Sequence, residues 1–230
     1  MIPLVLLPGM MCDGRLWEPQ IAALGGDRAV HLAPISNHDS TQALAAEVLA
    51  HAPPRFALAG LSMGGIVAME VLAQDPERVA RLALLDTNPR AEVPDVQARR
   101  GPQIERARQG GLRAVMRDEM KPNYLVDSPD KQAILDLCME MAMGLGPEVF
   151  VRQSLALRDR PDRQDALRAV TVPTLVLCGR EDKLCPIERH ELMHGLIPGS
   201  RLEIIAGAGH LPVLEQPEKT NAALRRWLEE

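Results

Sequence analysis

Six short apolar runs punctuate the chain: Ile2–Leu7, Ala29–Pro34, Phe56–Leu61, Leu82–Asp86, Thr174–Cys178 and Leu202–Ile205. Most are continuous rather than alternating in polarity, the pattern of parallel strands covered on both faces. Helical periodicity fills much of the space between them. Leu44, Ala45, Val48, Leu49 and Ala52 form one stripe, and Asp39-Ser40 ahead of it are residue types that accept hydrogen bonds from free N–H groups at a helix start. Ile66 to Ala73 is apolar nearly all round and stops before Pro76, which predicts a buried helix. Gln216-Pro217 opens a last helix with Leu224, Trp227 and Leu228 on one side. Strands alternating with helices predict an α/β fold with about six mainly parallel strands joined by right-handed crossovers.

One stretch breaks this rhythm. From Pro94 to Asp165 there is no strand pattern, only charged amphipathic segments interrupted by Gly110-Gly111, Pro122, Pro129 and Gly144–Pro147. A plain loop of that length is uncommon, so residues 94–165 read as a helical insertion between the fourth and fifth strands. Residues 1–93 and 166–230 then form the core.

Composition narrows the function classes. The 230 residues fit one domain, and 46% hydrophobic with 25% charged residues is ordinary for a globular protein. A formal net charge of −5 argues against a nucleic-acid partner, which needs clustered Lys and Arg. No apolar run approaches the ~18 residues of a membrane span, and the N-terminus has neither a basic leader nor a cleavage site of small residues. Cys12, Cys138, Cys178 and Cys185 are scattered without CxxC spacing, as expected of reduced thiols in a cytoplasmic protein.

The candidate chemistry begins at Gly60-Leu61-Ser62-Met63-Gly64, a G-x-S-x-G sequence between a predicted strand and a predicted buried helix. Side chains flanking a serine on so sharp a turn would collide, hence glycines. The helix N-terminus behind it favours developing negative charge. A hydroxyl is a poor nucleophile until a base takes its proton. Of the six histidines, His210 lies on a loop of small residues after the last strand. In a parallel sheet that loop shares an edge with Ser62. Asp182, just past the fifth strand, is placed to orient the imidazole. Glu181 is its neighbour, and Asp86, at another strand end, competes for the same role.

Taken together, these motifs resemble the α/β-hydrolase superfamily, with the order Ser62, Asp182, His210. "GREDKLCP" is similar to that family's acid loop and "GAGHLPVLEQPE" to its base loop, where Glu215 and Pro217 also recur. The likeness covers essentially the whole chain. It implies an oxyanion hole formed by the backbone N–H groups of Met63 and Met10, although Pro8-Gly9 stands where most relatives carry His-Gly. It also implies a minimal fold lacking the first two of eight strands, with residues 94–165 as a variable cap.

A rival pattern is "HELMH", His190 to His194, a literal H-E-x-x-H zinc signature. Ile187, Leu192, Met193, Leu196 and Ile197 supply the apolar face of that helix, which predicts both histidines on its solvated polar flank. The expectation is therefore a serine hydrolase of small carboxylic esters that needs no metal or cofactor. Its partner is a small ester-like molecule, and it works as a monomer or homodimer. The same triad also serves carbon–carbon hydrolases and perhydrolases, and a ligand sensor could retain it. Five methionines of the insertion, Met116, Met120, Met139, Met141 and Met143, read either as an adaptable acyl pocket or as core filling. Arg117 and Lys121 read either as residues that meet an anionic substrate or, in preference, as a solvated charged face.

Overall fold

The computed structural model describes residues 1–229. One sheet of six parallel strands forms its centre: β1 (Leu4–Leu7), β2 (Val30–Leu32), β3 (Phe56–Leu61), β4 (Val79–Leu85), β5 (Thr174–Gly179) and β6 (Arg201–Ile205). Their spatial order is β2-β1-β3-β4-β5-β6. The helices are α1 (Glu18–Leu24), α2 (Thr41–His51), α3 (Met63–Gln74), α4 (Pro94–Arg106), α5 (Leu112–Val115) and α6 (Lys131–Arg158). They continue with α7 (Gln164–Arg168), α8 (Ile187–Leu196), α9 (Pro212–Glu215) and α10 (Pro217–Glu229).

The strand pleat sorts side chains between two apolar layers. Val5 and Leu7 face α2 and α3, alongside Leu44, Val48, Val67 and Val71. Leu4 and Leu6 face the opposite layer, where Trp17, Leu24, Leu224 and Trp227 pack from the α1 and α10 side. The four inner strands β1, β3, β4 and β5 are almost wholly buried, as their continuous apolar runs predict. The outermost strands differ. β2 leaves Leu32 44% exposed, and β6 is buried only at Ile205, because an edge strand is flanked on one side only. α2 starts as its caps predict, with Ser40 Oγ accepting from the Ala43 N–H at 3.3 Å.

Among the described residues there is no strand between β4 and β5. Gly110 and Gly146, both with positive φ, break that helical stretch near the glycine and proline clusters the sequence marks. Met116 and Met141 are buried in the core and Met139 packs against it, whereas Met143 is exposed and Met120 lines the cleft above the sheet edge. Arg117 is solvated beside Asp118, but Lys121 is buried. Among the described residues, no helix is long and apolar enough to cross a membrane.

This topology fixes where a site can form. The chain leaves β1 outward to β2 and then returns to β3 on the other side of β1. The carboxyl ends of β1 and β3 therefore border a crevice, the position where open parallel sheets bind ligands.

Candidate active site

Ser62 sits at that crevice, between the end of β3 and the first residue of α3. Its backbone takes φ 56° and ψ −116°, a left-handed conformation that a serine adopts only under constraint. The constraint is visible. The Ser62 N–H donates to Leu85 O at 2.9 Å, and its carbonyl accepts from Thr87 Oγ1 at 2.7 Å and from Ile66 N at 3.2 Å. A Cβ on Gly60 would lie 2.3 Å from Gly64 O, and one on Gly64 would lie 2.2 Å from Leu7 O. Both glycines are thus required by close backbone approach rather than by turn type.

His210 closes on the serine from the loop after β6. Its Nε2 lies 2.9 Å from Ser62 Oγ and its Nδ1 lies 2.8 Å from Asp182 Oδ2. The Asp182 carboxylate accepts the Nδ1–H, which leaves Nε2 free to accept the Ser62 hydroxyl proton. Asp182 Oδ1 accepts from the Leu184 and Cys185 N–H groups at 2.8 and 3.0 Å. Burial pushes the Asp182 carboxyl up, but the His210 imidazole and these amides outweigh it and bring its pKa down to about 2.

The competing acids hold other posts. Asp86 is fully buried, and its Oδ1 accepts from Gly179 N at 2.8 Å. Burial, then the nearby Asp182 charge, raises its pKa well above the usual carboxylate range. Glu181 accepts from Gly207 and Ala208 on the loop leading to His210. Glu215 braces that loop more directly, accepting from the Gly209, Leu211 and Val126 N–H groups. The His210 backbone N–H donates to Tyr124 O at 2.6 Å, which ties the loop to the helical stretch between β4 and β5.

Met10 and Met63 both line the cleft beside Ser62. Neither backbone N–H donates to a protein group among the described residues, so both remain available. The cleft encloses ≈ 300 Å³, and Val96, Met120 and Leu157 from the helical stretch between β4 and β5 are among its lining residues.

The pattern that defines the alpha/beta hydrolase family matches residues 4–223. The chain belongs to that family. An esterase from Thermogutta terrifontis, solved with malate bound, superposes with a TM-score of 0.92 at 32% identity, over 100% of this chain and 90% of that one. The pimeloyl-acyl-carrier-protein methyl ester esterase of Xanthomonas oryzae pv. oryzae is 28% identical over 246 residues, 98% of this chain and 94% of the relative. The enol-lactonase of Burkholderia xenovorans LB400 shares the fold, with a TM-score of 0.89 at 22% identity, over 100% of this chain and 92% of that one.

Two features of this α/β-hydrolase differ from the sequence reading or lie outside it. His190 is not on a solvated flank: it is fully buried, its Nε2 accepts from Thr87 N at 3.1 Å and its Nδ1 lies 3.3 Å from Pro186 O. Neighbouring elements thus satisfy a polar side chain that helical periodicity places outside. Burial above all lowers its pKa to about 4, so the ring stays neutral. His194 faces solvent instead and meets Ser200 Oγ at 2.8 Å, so the H-E-x-x-H pair does not converge. Asp182, Cys185 and His210 do bring ligating atoms within 4.8 Å of one another, but both His210 nitrogens are engaged and burial pushes the Cys185 thiol up.

The other feature is Gln153 on α6, whose only sequence signal is a polar residue inside an apolar helical stretch. Its Oε1 accepts from Met11 N at 2.8 Å and its Nε2 donates to Ile35 O at 2.9 Å. Together with the Cys12 N–H donating to Gly9 O, it sets the Pro8–Cys12 loop in which Met10 lies.

Proposed function

We propose that this α/β-hydrolase cleaves small carboxylic esters, with Ser62 as nucleophile, His210 as base and Asp182 as the acid that orients it. The observation that carries this reading is the unbroken line from Asp182 through His210 to Ser62, at 2.8 and 2.9 Å. Ser62 Oγ attacks the carbonyl carbon as His210 Nε2 takes its proton. The carbonyl oxygen becomes an oxyanion facing the Met63 and Met10 N–H groups, each such donor being worth about 3 kcal/mol. The bond to the alkoxy oxygen then breaks, and His210 returns its proton to the leaving alcohol. Water attacks the acyl-serine with His210 again as base, releasing the carboxylic acid and restoring Ser62. Asp182, ionised throughout the neutral range, stabilises the imidazolium formed in each half.

Residues 94–165 act here as a cap that encloses the acyl group. The Xanthomonas oryzae relative is by name a methyl ester esterase, which supports esters of small alcohols. All four cysteines are free and buried, in keeping with a reducing cytoplasm, where the protein works as a monomer or homodimer with no cofactor. The test is hydrolysis of p-nitrophenyl esters of increasing acyl length by the wild type and by Ser62→Ala. The expected result is turnover with a length optimum set by the cleft, falling about 10⁶-fold in the variant. Turnover that persists in Ser62→Ala would remove the serine from the mechanism.

A further inference from the structure

The lining of the cleft carries more positive charge than its carboxylates balance. Arg100 and Arg160, both buried, converge on the single carboxylate of Glu92. Arg100 contacts Glu92 Oε2 through Nη2 at 2.6 Å and Nε at 3.2 Å. Arg160 grips both Glu92 oxygens, at 3.0 and 3.1 Å, and donates further to Arg90 O and Leu157 O. Arg160 is largely used up by these bonds, whereas Arg100 Nη1 has no partner among the described residues. Arg189, half-buried on the same cleft, has no carboxylate partner among the described residues either. The other glutamate of the lining, Glu119, is engaged by Arg106 and Gln103.

Two buried guanidinium groups on one carboxylate leave a cation under-compensated in a place shielded from water. Such an arrangement is costly to hold, and well-packed apolar residues would stabilise the fold as well or better. A bound anion removes the cost, and a guanidinium edge with open donors fits a carboxylate. The local sign is not inherited from the whole protein, whose net charge is −5. Burial also lowers the Arg160 pKa, with the Arg100 cation adding to the effect and Glu92 opposing it.

We propose that the cleft selects esters carrying a second, ionised carboxylate, which the open edge of Arg100, backed by Arg160 and Arg189, holds while Ser62 attacks the ester carbonyl. The proposal rests on the reading of Ser62 as the nucleophile of an ester hydrolase, and names the substrate class of that site.

Monomethyl esters of succinate, glutarate and adipate, compared with the dimethyl esters of the same acids, test it. At neutral pH the half-ester is an anion and the diester a neutral molecule of almost the same shape. The expected result is a kcat/KM for the best half-ester at least tenfold above that of its diester, about 1.4 kcal/mol, collapsing towards one in Arg100→Met. The same pair is titrated into Ser62→Ala by calorimetry, where the half-ester should bind at least tenfold more tightly. Diesters turned over as well as half-esters at every length would overturn the proposal and leave the esterase reading intact. No turnover of either, with the tenfold binding preference retained, would refute the esterase reading while upholding the anion site. Loss of the binding preference as well would end both. Should Arg100→Met fail to fold, inhibition of the wild type by the monoamide of glutarate, an anion at neutral pH, against neutral glutaramide decides, with equal inhibition overturning the proposal.

Discussion

Replacing Gly64 by alanine isolates the link between the nucleophile turn and the loop that follows β1. The added Cβ would lie 2.2 Å from Leu7 O and 2.6 Å from Pro8 O, both backbone atoms with no rotamer to yield. Contacts of that kind are essentially never below 3.0 Å, so the turn and the loop must separate by roughly 0.8 Å, the difference between 3.0 and 2.2 Å. The loop that gives way carries Met10 and the turn carries Ser62 and Met63, so the two proposed oxyanion donors move apart. A misplacement near 1 Å costs about 10²-fold in rate, or about 2.7 kcal/mol, close to the loss of one oxyanion donor. Overpacking should also cost about 1–3 kcal/mol of stability, lowering Tm by roughly 4–8 °C at the middle of that range for a chain of this size. The assay is kcat on a p-nitrophenyl ester together with a thermal melt. Gly195→Ala serves as control, since Gly195 lies inside α8 with nothing within 4 Å of the added Cβ and should gain about 0.5–1 kcal/mol. A Gly64→Ala protein that keeps kcat within threefold and melts like the wild type would refute the claim that this contact sets the donor geometry.

Three further outcomes follow from side chains around the site. Asp182→Asn should lower kcat about 10⁴-fold in the same ester assay, because an amide facing Nδ1 favours the tautomer whose Nε2 already carries a proton; a loss under tenfold would contradict the assigned orientation. Gln153→Leu leaves Met11 N and Ile35 O buried and unpaired, at about 1–3 kcal/mol for each, and should reduce both the urea midpoint and kcat, since Met11 adjoins Met10. The pKa of His190 falls from the ordinary 6.5 to about 4, so the unfolded chain binds more protons between those values. Stability is therefore full above pH 6.5 and declines by on the order of 3 kcal/mol as pH falls to about 4. His190→Gln should flatten that part of the urea-midpoint profile, and a wild-type midpoint that does not change across the window would contradict the assignment.

The meeting of Ser62 and His210, the proposed nucleophile and base, was readable because local backbone demands leave local traces. A serine forced to φ 56° between a strand and a helix needs glycines two positions away on either side, and those are visible without any long-range information. Likewise the four inner strands announce themselves by continuous apolar runs, whereas β2 and β6 depart from that pattern because nothing in a short run says that it lies at an edge. The proposed acid was a different problem. Asp86 and Asp182 both follow strands on the same edge, and what separates them is the partner each meets: the Gly179 N–H for one, His210 Nδ1 for the other.

The residues that escaped the sequence share a cause. His190, Gln153 and the Arg100–Glu92–Arg160 group are polar side chains whose partners lie far along the chain or on another element, which periodicity does not register. Burial of each is tolerable only because a specific distant group satisfies it, and such pairing has no local signature. For His190 and Gln153 the pairing is complete, and both read as braces that hold Thr87 beside Ser62 and Met11 beside Met10. The arginine group is the exception, since Arg100 lines the same cleft as Ser62 and its Nη1 has no partner among the described residues. Satisfied buried polarity explains positioning, and unsatisfied polarity at a cleft wall points to what the cleft receives. That contrast between the braces and the arginine edge is why the second carboxylate is sought in the substrate rather than in the protein.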